Sequence, residues 1–217
     1  MPVMLIWVMF LKMVHNRQDY VTVLIQSHLI CTRINKSIVS AQDIIDFWFE
    51  QTDPKFWWKK GADFDQLIAD RFEVVHHMAI QGRLASWRET ALGRLAEIIV
   101  LDQFSRNLYR DSPLAFAYDD QALILAQEAI QNKADQELET RQKVFLYLPF
   151  MHSESRTAHE TALTLFKTPG LEFNYDFELK HKVIIDRFGR YPHRNDILGR
   201  QSSEEELKFL QEPGSSF

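Results

Sequence analysis

The sequence predicts an all-α protein of about eight helices, and three observations carry that prediction. Apolar residues recur at the 3.6-residue period of one helix face in segment after segment from Ser40 onward. Residues suited to helix N-caps precede those segments, and Gly or Pro follows them. Seven Gly and seven Pro in 217 residues are too few to turn the many strands of a sandwich or barrel. No segment after Ser40 alternates like a strand.

The elements follow in order. Ser40 with Asp43 forms a capping box ahead of Ile44, Phe47 and Trp48. Asp63 can cap the next helix, whose Phe64, Leu67, Ile68, Phe72, Val75 and Ala79 keep the period until Gly82. A third helix runs from Glu89 to Tyr109; Ile98 to Leu101 make it apolar on every face, so it should be enclosed by the others. Ser112-Pro113 opens a segment through Phe116, Leu123, Ala126 and Ile130. A helix from Leu138 should stop near Pro149, because a proline disfavours helical geometry in the residue before it. Another starts at Ser153–Ser155 and ends at Thr168-Pro169-Gly170. Asn174 should cap a helix through Phe177, His181, Ile184 and Phe188 to Gly189, and Ser202 with Glu205 a last short one. Helices in antiparallel pairs suit a tetratricopeptide-like array. No repeat is visible in the sequence, so an irregular bundle fits equally.

Composition narrows the function classes. A hydrophobic fraction of 46% with 12% aromatics supplies a core, and a net charge of −5 argues against general nucleic-acid binding. The single cysteine, Cys31, excludes an internal disulfide or a cysteine-built zinc site, and a reducing cytoplasm is the default. Pro2 to Leu11 is continuously apolar, but at about ten residues it is half the length of a membrane span. Residues 1–39 therefore read as an extension outside a single helical domain, 40–217. Translation from an upstream start codon would explain them; a membrane or partner-binding anchor is the alternative.

Three segments place polar groups where burial is costly. In Leu101 to Arg110, Asp102 and Arg106 share a helix face, as do Gln103 and Asn107, with Arg110 one turn on. A buried ion costs several kcal/mol unless paired, so the helix either locks packing through an Asp102–Arg106 pair or lines a ligand site. In Leu148 to Glu154, His152 and Glu154 should fall in a junction before a helix N-terminus, a setting for an anion or for ordinary capping. In Asp186 to Asn195, Arg187, Arg190, His193 and Arg194 form a basic loop whose guanidinium forks match carboxylate or phosphate. His181 reads as a core histidine. His152, Glu154, His181, His193, Asp102 and Asp119 could ligate a metal but form no recognised metal motif. No nucleotide-binding or serine-hydrolase signature is present, and nothing names a cofactor or an oligomeric state.

These same segments resemble a bacterial family known as domain of unknown function 924. The matching residues are Asp43 to Phe49, Leu101 to Arg110 (LDQFSRNLYR), Ala115 to Ala117 with Asp119, Leu148 to Glu154 (LPFMHSE) and Phe188 to Arg200 (FGRYPHRNDILGR). Ser105, where the family pattern suggests proline, is a minor departure. The resemblance implies a helical fold similar to the tetratricopeptide-like superfamily and no established reaction. Residues 1–39 lie outside it.

The leading expectation is one cleft that binds a small anionic ligand, phosphate or carboxylate. Asp102, Arg106, Asn107, Arg110, Arg187, Arg190 and Arg194 would hold it, and His152 and His193 would act as general acid–base groups, one of them oriented by Glu154. The rival is a non-catalytic module that presents a groove to a peptide, with the polar residues only locking helix packing.

Overall fold

The structure is a computed structural model that describes residues 39–216. The predicted extension, residues 1–39, lies outside the described residues save for Val39. Eight helices make up the described residues, with no strand among them. We number them α1 (41–51), α2 (Ala62–Ile80), α3 (91–108), α4 (Asp119–Gln131), α5 (Thr140–His152), α6 (Arg156–Leu165), α7 (Glu172–Phe188) and α8 (Glu204–Phe209). None is long and apolar enough to cross a membrane.

The caps explain where most of these helices begin. The Ser40 hydroxyl accepts from the Asp43 N–H at 3.2 Å, while the Asp43 carboxylate accepts from the Ser40 N–H at 2.8 Å, closing the expected box. Thr90 caps α3 by accepting from the Gly93 N–H at 3.0 Å. Ser155 caps α6 and Ser203, boxed with Glu206, caps α8. Four boundaries differ from expectation. Asp63 lies inside the first turn of α2, after Gly61, and Asn174 inside the first turn of α7. There the Asp63 carboxylate complements the helix dipole instead of capping. The α8 box is shifted by one residue from Ser202–Glu205. Ser112-Pro113 opens only a 3-10 turn, Pro113–Ala115, and α4 starts later, at Asp119.

The fifth difference matters most for the site. Pro149 does not end α5; the helix carries it and continues to His152. A proline inside a helix forfeits one hydrogen bond and crowds the preceding turn. Here every residue from Val144 to Met151 is buried, so packing on all sides outweighs that local cost. His152 therefore closes a helix instead of preceding one.

As predicted, α3 is the centre. Every residue from Leu95 to Ser105 is buried, and the helix packs against α1, α4 and α5, with α2 along its second half. Successive helices α4 to α7 then pack each on the next. Bulky rings fill the seam between α1, α2, α3 and α5: Phe47 lies 4.7 Å from Phe72, Phe72 stacks 5.2 Å from Phe104, and Trp48 meets Phe145 edge-on at 5.5 Å. A smaller cluster of Ile184, Ile185, Tyr191 and Phe209 seats α8 and the 189–203 loop on α7.

Within α3 the residues Val100–Phe104 form a π-helical turn. Such a turn inserts one residue into the ladder and re-aims the side chains around it. Asp102 and Gln103 both sit in this turn.

At Gly93 an added Cβ would lie 1.9 Å from the Trp87 carbonyl oxygen. Gly93→Ala should therefore destabilise the fold by about 3 kcal/mol, although alanine is the better helix former. Urea denaturation of the two proteins checks this.

Candidate active site

Asp102 is fully buried and satisfies that burial with three partners. Its Oδ1 accepts from His152 Nδ1 at 2.7 Å and pairs with Arg106 Nη1 at 3.2 Å, and its Oδ2 accepts from Gln103 Nε2 at 2.5 Å. Arg106 also donates to the Asp102 backbone carbonyl at 2.6 Å. Burial alone would raise the carboxyl pKa. The charges of Arg106 and His152, with the hydrogen bonds, overcome it and hold Asp102 far below the ordinary carboxylate range.

The opposite balance governs His152. Burial, helped by the Arg106 charge, pushes its pKa down further than Asp102 pulls it up, so the ring is neutral near pH 7. An ionised carboxylate can only accept, so the proton sits on Nδ1 and Nε2 keeps its lone pair. Among the described residues, Nε2 makes no hydrogen bond. A helix-terminal imidazole held by a buried carboxylate, with one basic nitrogen left over, is a general-base arrangement.

A second carboxylate, Asp119 in the first turn of α4, ties in two arginines. Arg106 reaches it at 3.0 and 3.1 Å, and Arg194 Nη1 at 3.1 Å. The Arg194 guanidinium lies between the rings of Phe116 and Tyr191, 4.5 and 4.6 Å from their centroids. Its side chain is only 8% exposed, yet Nε has no hydrogen-bond partner. Burial pulls its pKa below the ordinary value, with Asp119 opposing. Arginine remains protonated even so.

The Tyr191 ring that supports Arg194 is itself pinned. Its hydroxyl donates to the Met151 carbonyl at 2.5 Å and lies 3.2 Å from His159 Nε2. His159 in turn bonds the Ser153 carbonyl at 2.9 Å and the buried Glu178 at 2.7 Å. Burial pushes the Glu178 pKa up. The end of α5, the start of the 189–203 loop and α7 are thus joined by one polar network behind the site.

Arg106, Arg194, His152, Tyr191, His181 and His193 border one cavity of about 700 Å³. Gln103, Asn107 and Arg110 border it as well. Arg110 is held there by a two-point pair with Asp65, at 2.6 Å each, and Asn107 joins the same carboxylate at 2.8 Å. Burial drives the pKa of His193 down to about 4 and that of His181 to about 3, so both are neutral near pH 7. A second hollow, about 720 Å³, borders His193 and Arg200 but none of Asp102, Arg106 or His152.

The remaining predicted residues are elsewhere. Arg187 pairs with Glu205 at 2.8 Å and lies over the Phe188 ring. Arg190 pairs with Glu206 at 2.6 and 2.8 Å. Neither borders the cavity. Glu154 accepts from Arg200 at 2.6 and 2.9 Å and from the Tyr191 N–H at 2.8 Å. It orients the loop that carries Tyr191 and Arg194, and its charge also acts on His193. Among the described residues, no group of three His, Cys, Asp or Glu side chains is placed to hold a metal ion.

Sequence reasoning named Asp119 only as a possible metal ligand and Gln103 only as sharing a helix face with Asn107, and it gave Tyr191 and Phe116 no site role. Asp119 reads locally as an ordinary dipole-complementing acid in a first turn. Only its contacts with residues 13 and 75 positions away reveal the pairing. Gln103 carried a signal, a polar residue two steps beyond an all-apolar run.

Residues 44–214 match the family described as a bacterial protein of unknown function, DUF924, and the chain belongs to that family. It is also similar to the solved structure of a protein of unknown function from Agrobacterium tumefaciens. The two are 39% identical, with a TM-score of 0.75 over 79% of this chain and 96% of that one. No curated protein matches the chain.

Two outcomes follow from the geometry. Arg106→Ala leaves the Asp102 and Asp119 carboxylates short of their main cation, so it should cost about 3–5 kcal/mol in urea denaturation. Stability should also fall with acidification. His76, His181 and His193 have folded pKa values of about 4, 3 and 4 against 6.5 for the free side chain. Below pH 6.5 the unfolded chain takes up protons that the folded one refuses, so the stability present above 6.5 is lost as pH falls towards 4. Melting temperatures at pH 7.5, 5.5 and 4.5 should decline in that order.

Proposed function

We propose that the cavity binds a small anionic ligand, phosphate or carboxylate, and that the His152–Asp102 pair transfers a proton on it. The observation that carries this reading is Arg194. A guanidinium has five N–H donors, and the protein uses one of this buried group's donors, on Asp119. Its Nε is buried without a partner, which is costly away from water, and an oxyanion is the partner that the planar guanidinium geometry suits. Arg106, on the same Asp119 carboxylate, supports the same ligand, with Arg110 and Asn107 also on the wall. His152 acts as the base through Nε2, and His193 is the second imidazole available for the return of the proton. Arg187, Arg190 and Glu154 serve the site through the loop they brace.

The test is a thermal-shift screen of carboxylates, phosphorylated metabolites and divalent metals. A ligand at about 100 times its Kd adds about 2.7 kcal/mol to the folded state and raises the melting temperature by several degrees. Arg194→Gln should abolish the shift. His152→Asn should retain it, because asparagine can still donate to Asp102. Turnover of a ligand so found should be lost in His152→Asn and should persist in the wild type below pH 6.5, since the base stays unprotonated down to its lowered pKa.

One observation favours the rival, a non-catalytic interaction module. Arg110, Arg187 and Arg190 spend their charge on Asp65, Glu205 and Glu206 within the fold. Under that reading no small anion stabilises the protein, and Arg194→Gln destabilises it with no binding phenotype.

A further inference from the structure

Volume and charge together say more about the ligand than its being an anion. A carboxylate or phosphate group alone would fill on the order of a tenth of a 700 Å³ cavity, at roughly 30 Å³ per heavy atom. The rest of the cavity has walls of a different character. On α7, Phe173, Phe177 and His181 recur every fourth residue and all border the cavity. Their exposure falls from 67% at Phe173 to 7% at His181, so this face runs from the rim inwards. The eight-residue step spans about 12 Å of helix. Trp57 and Trp58 form another part of the wall, with Trp58 56% exposed. The inner end is polar: Arg106, Arg194 and His152, with Tyr191 under Arg194. The rim is aromatic, with Lys59 and Lys60 beside it on the surface, a field that favours approach of an anion.

The charge at the inner end is the second constraint. Arg106 and Arg194 are matched by Asp102 and Asp119, and His152 is neutral, so the cluster sums to zero. A monoanion leaves one uncompensated charge there. A phosphate monoester near pH 7 carries about −1.5 to −2, and its second charge would face the Asp119 carboxylate.

We infer that the ligand is an amphipathic monocarboxylate, its carboxylate on Arg194 and its apolar body lying along Phe177 and Phe173 towards the rim. At about 1.25 Å per methylene, a chain of about eight carbons spans most of that wall; an aryl body of the same length fits equally. This inference rests on the anion-binding reading and narrows it to one class.

The experiment is isothermal titration of the full chain at pH 7.5 with acetate, butanoate, hexanoate, octanoate, octyl phosphate and octanol. Each added methylene should tighten carboxylate binding about threefold to fourfold until the rim is reached. Octanoate should bind at least about tenfold more tightly than octyl phosphate or octanol, given the charge mismatch of one and the missing headgroup of the other. Phe173→Ser, at an exposed position that does not threaten folding, should weaken octanoate and leave butanoate unchanged. Arg194→Gln should erase the preference for octanoate over octanol. Equal affinity from acetate to octanoate would overturn the amphipathic ligand while leaving an anion site in place. Octyl phosphate binding more tightly than octanoate would overturn the choice of carboxylate. Octanol matching octanoate would reduce the cavity to a greasy pocket, and no binding by any of the six would sink this inference and the anion reading together.

Discussion

The polar cluster at the inner end of the cavity is organised by the burial of Asp102. A carboxylate removed from water is tolerated only when opposite charge and hydrogen bonds replace its hydration. The replacements come from three places in the chain: Gln103 beside it, Arg106 a turn later and His152 at the end of α5. Arg106 extends the arrangement to Asp119, and Asp119 extends it to Arg194. A chain of alternating charges thus links α3, α4, α5 and the loop after α7. Each member is secured by the next.

That chain also sets the protonation of the groups it joins. Because Asp102 stays ionised, it fixes the tautomer of His152; because the ring is buried beside Arg106, the imidazole does not take the second proton. The two effects oppose each other at His152, and burial decides the outcome in favour of the neutral ring. Arg194 receives different treatment, with two aromatic faces and one carboxylate contact for a group that could make five hydrogen bonds. A fully satisfied guanidinium would be a packing device. This one keeps a buried Nε without a hydrogen-bond partner.

The fold serves the site by accepting local costs. The π-helical turn in α3 sacrifices regular hydrogen bonding where Asp102 and Gln103 sit, and α5 carries Pro149 through its interior so that His152 reaches the carboxylate. Both irregularities are enclosed by well-packed aromatic and aliphatic side chains. Dense burial on every side outweighs the loss of a backbone hydrogen bond and the crowding of a turn.

The sequence by itself determined the helical class, the central place of the all-apolar α3, the capping box at Ser40 and the three polar segments from which the cavity is lined. Those features are written in periodicity, caps and composition, which act within a few residues of one another. It misjudged Pro149, because the propensity of a proline is local while the burial that overrides it is not. It named Asp119 without its arginine partners and left Arg187, Arg190 and Arg194 indistinguishable in one basic loop. Only the tertiary structure separates them: two of these arginines meet glutamates of α8 or its cap, and the third meets a carboxylate 75 residues away between two rings. Which charge faces which partner is a long-range question, since an ion's energy depends on its neighbours in space and on its distance from water.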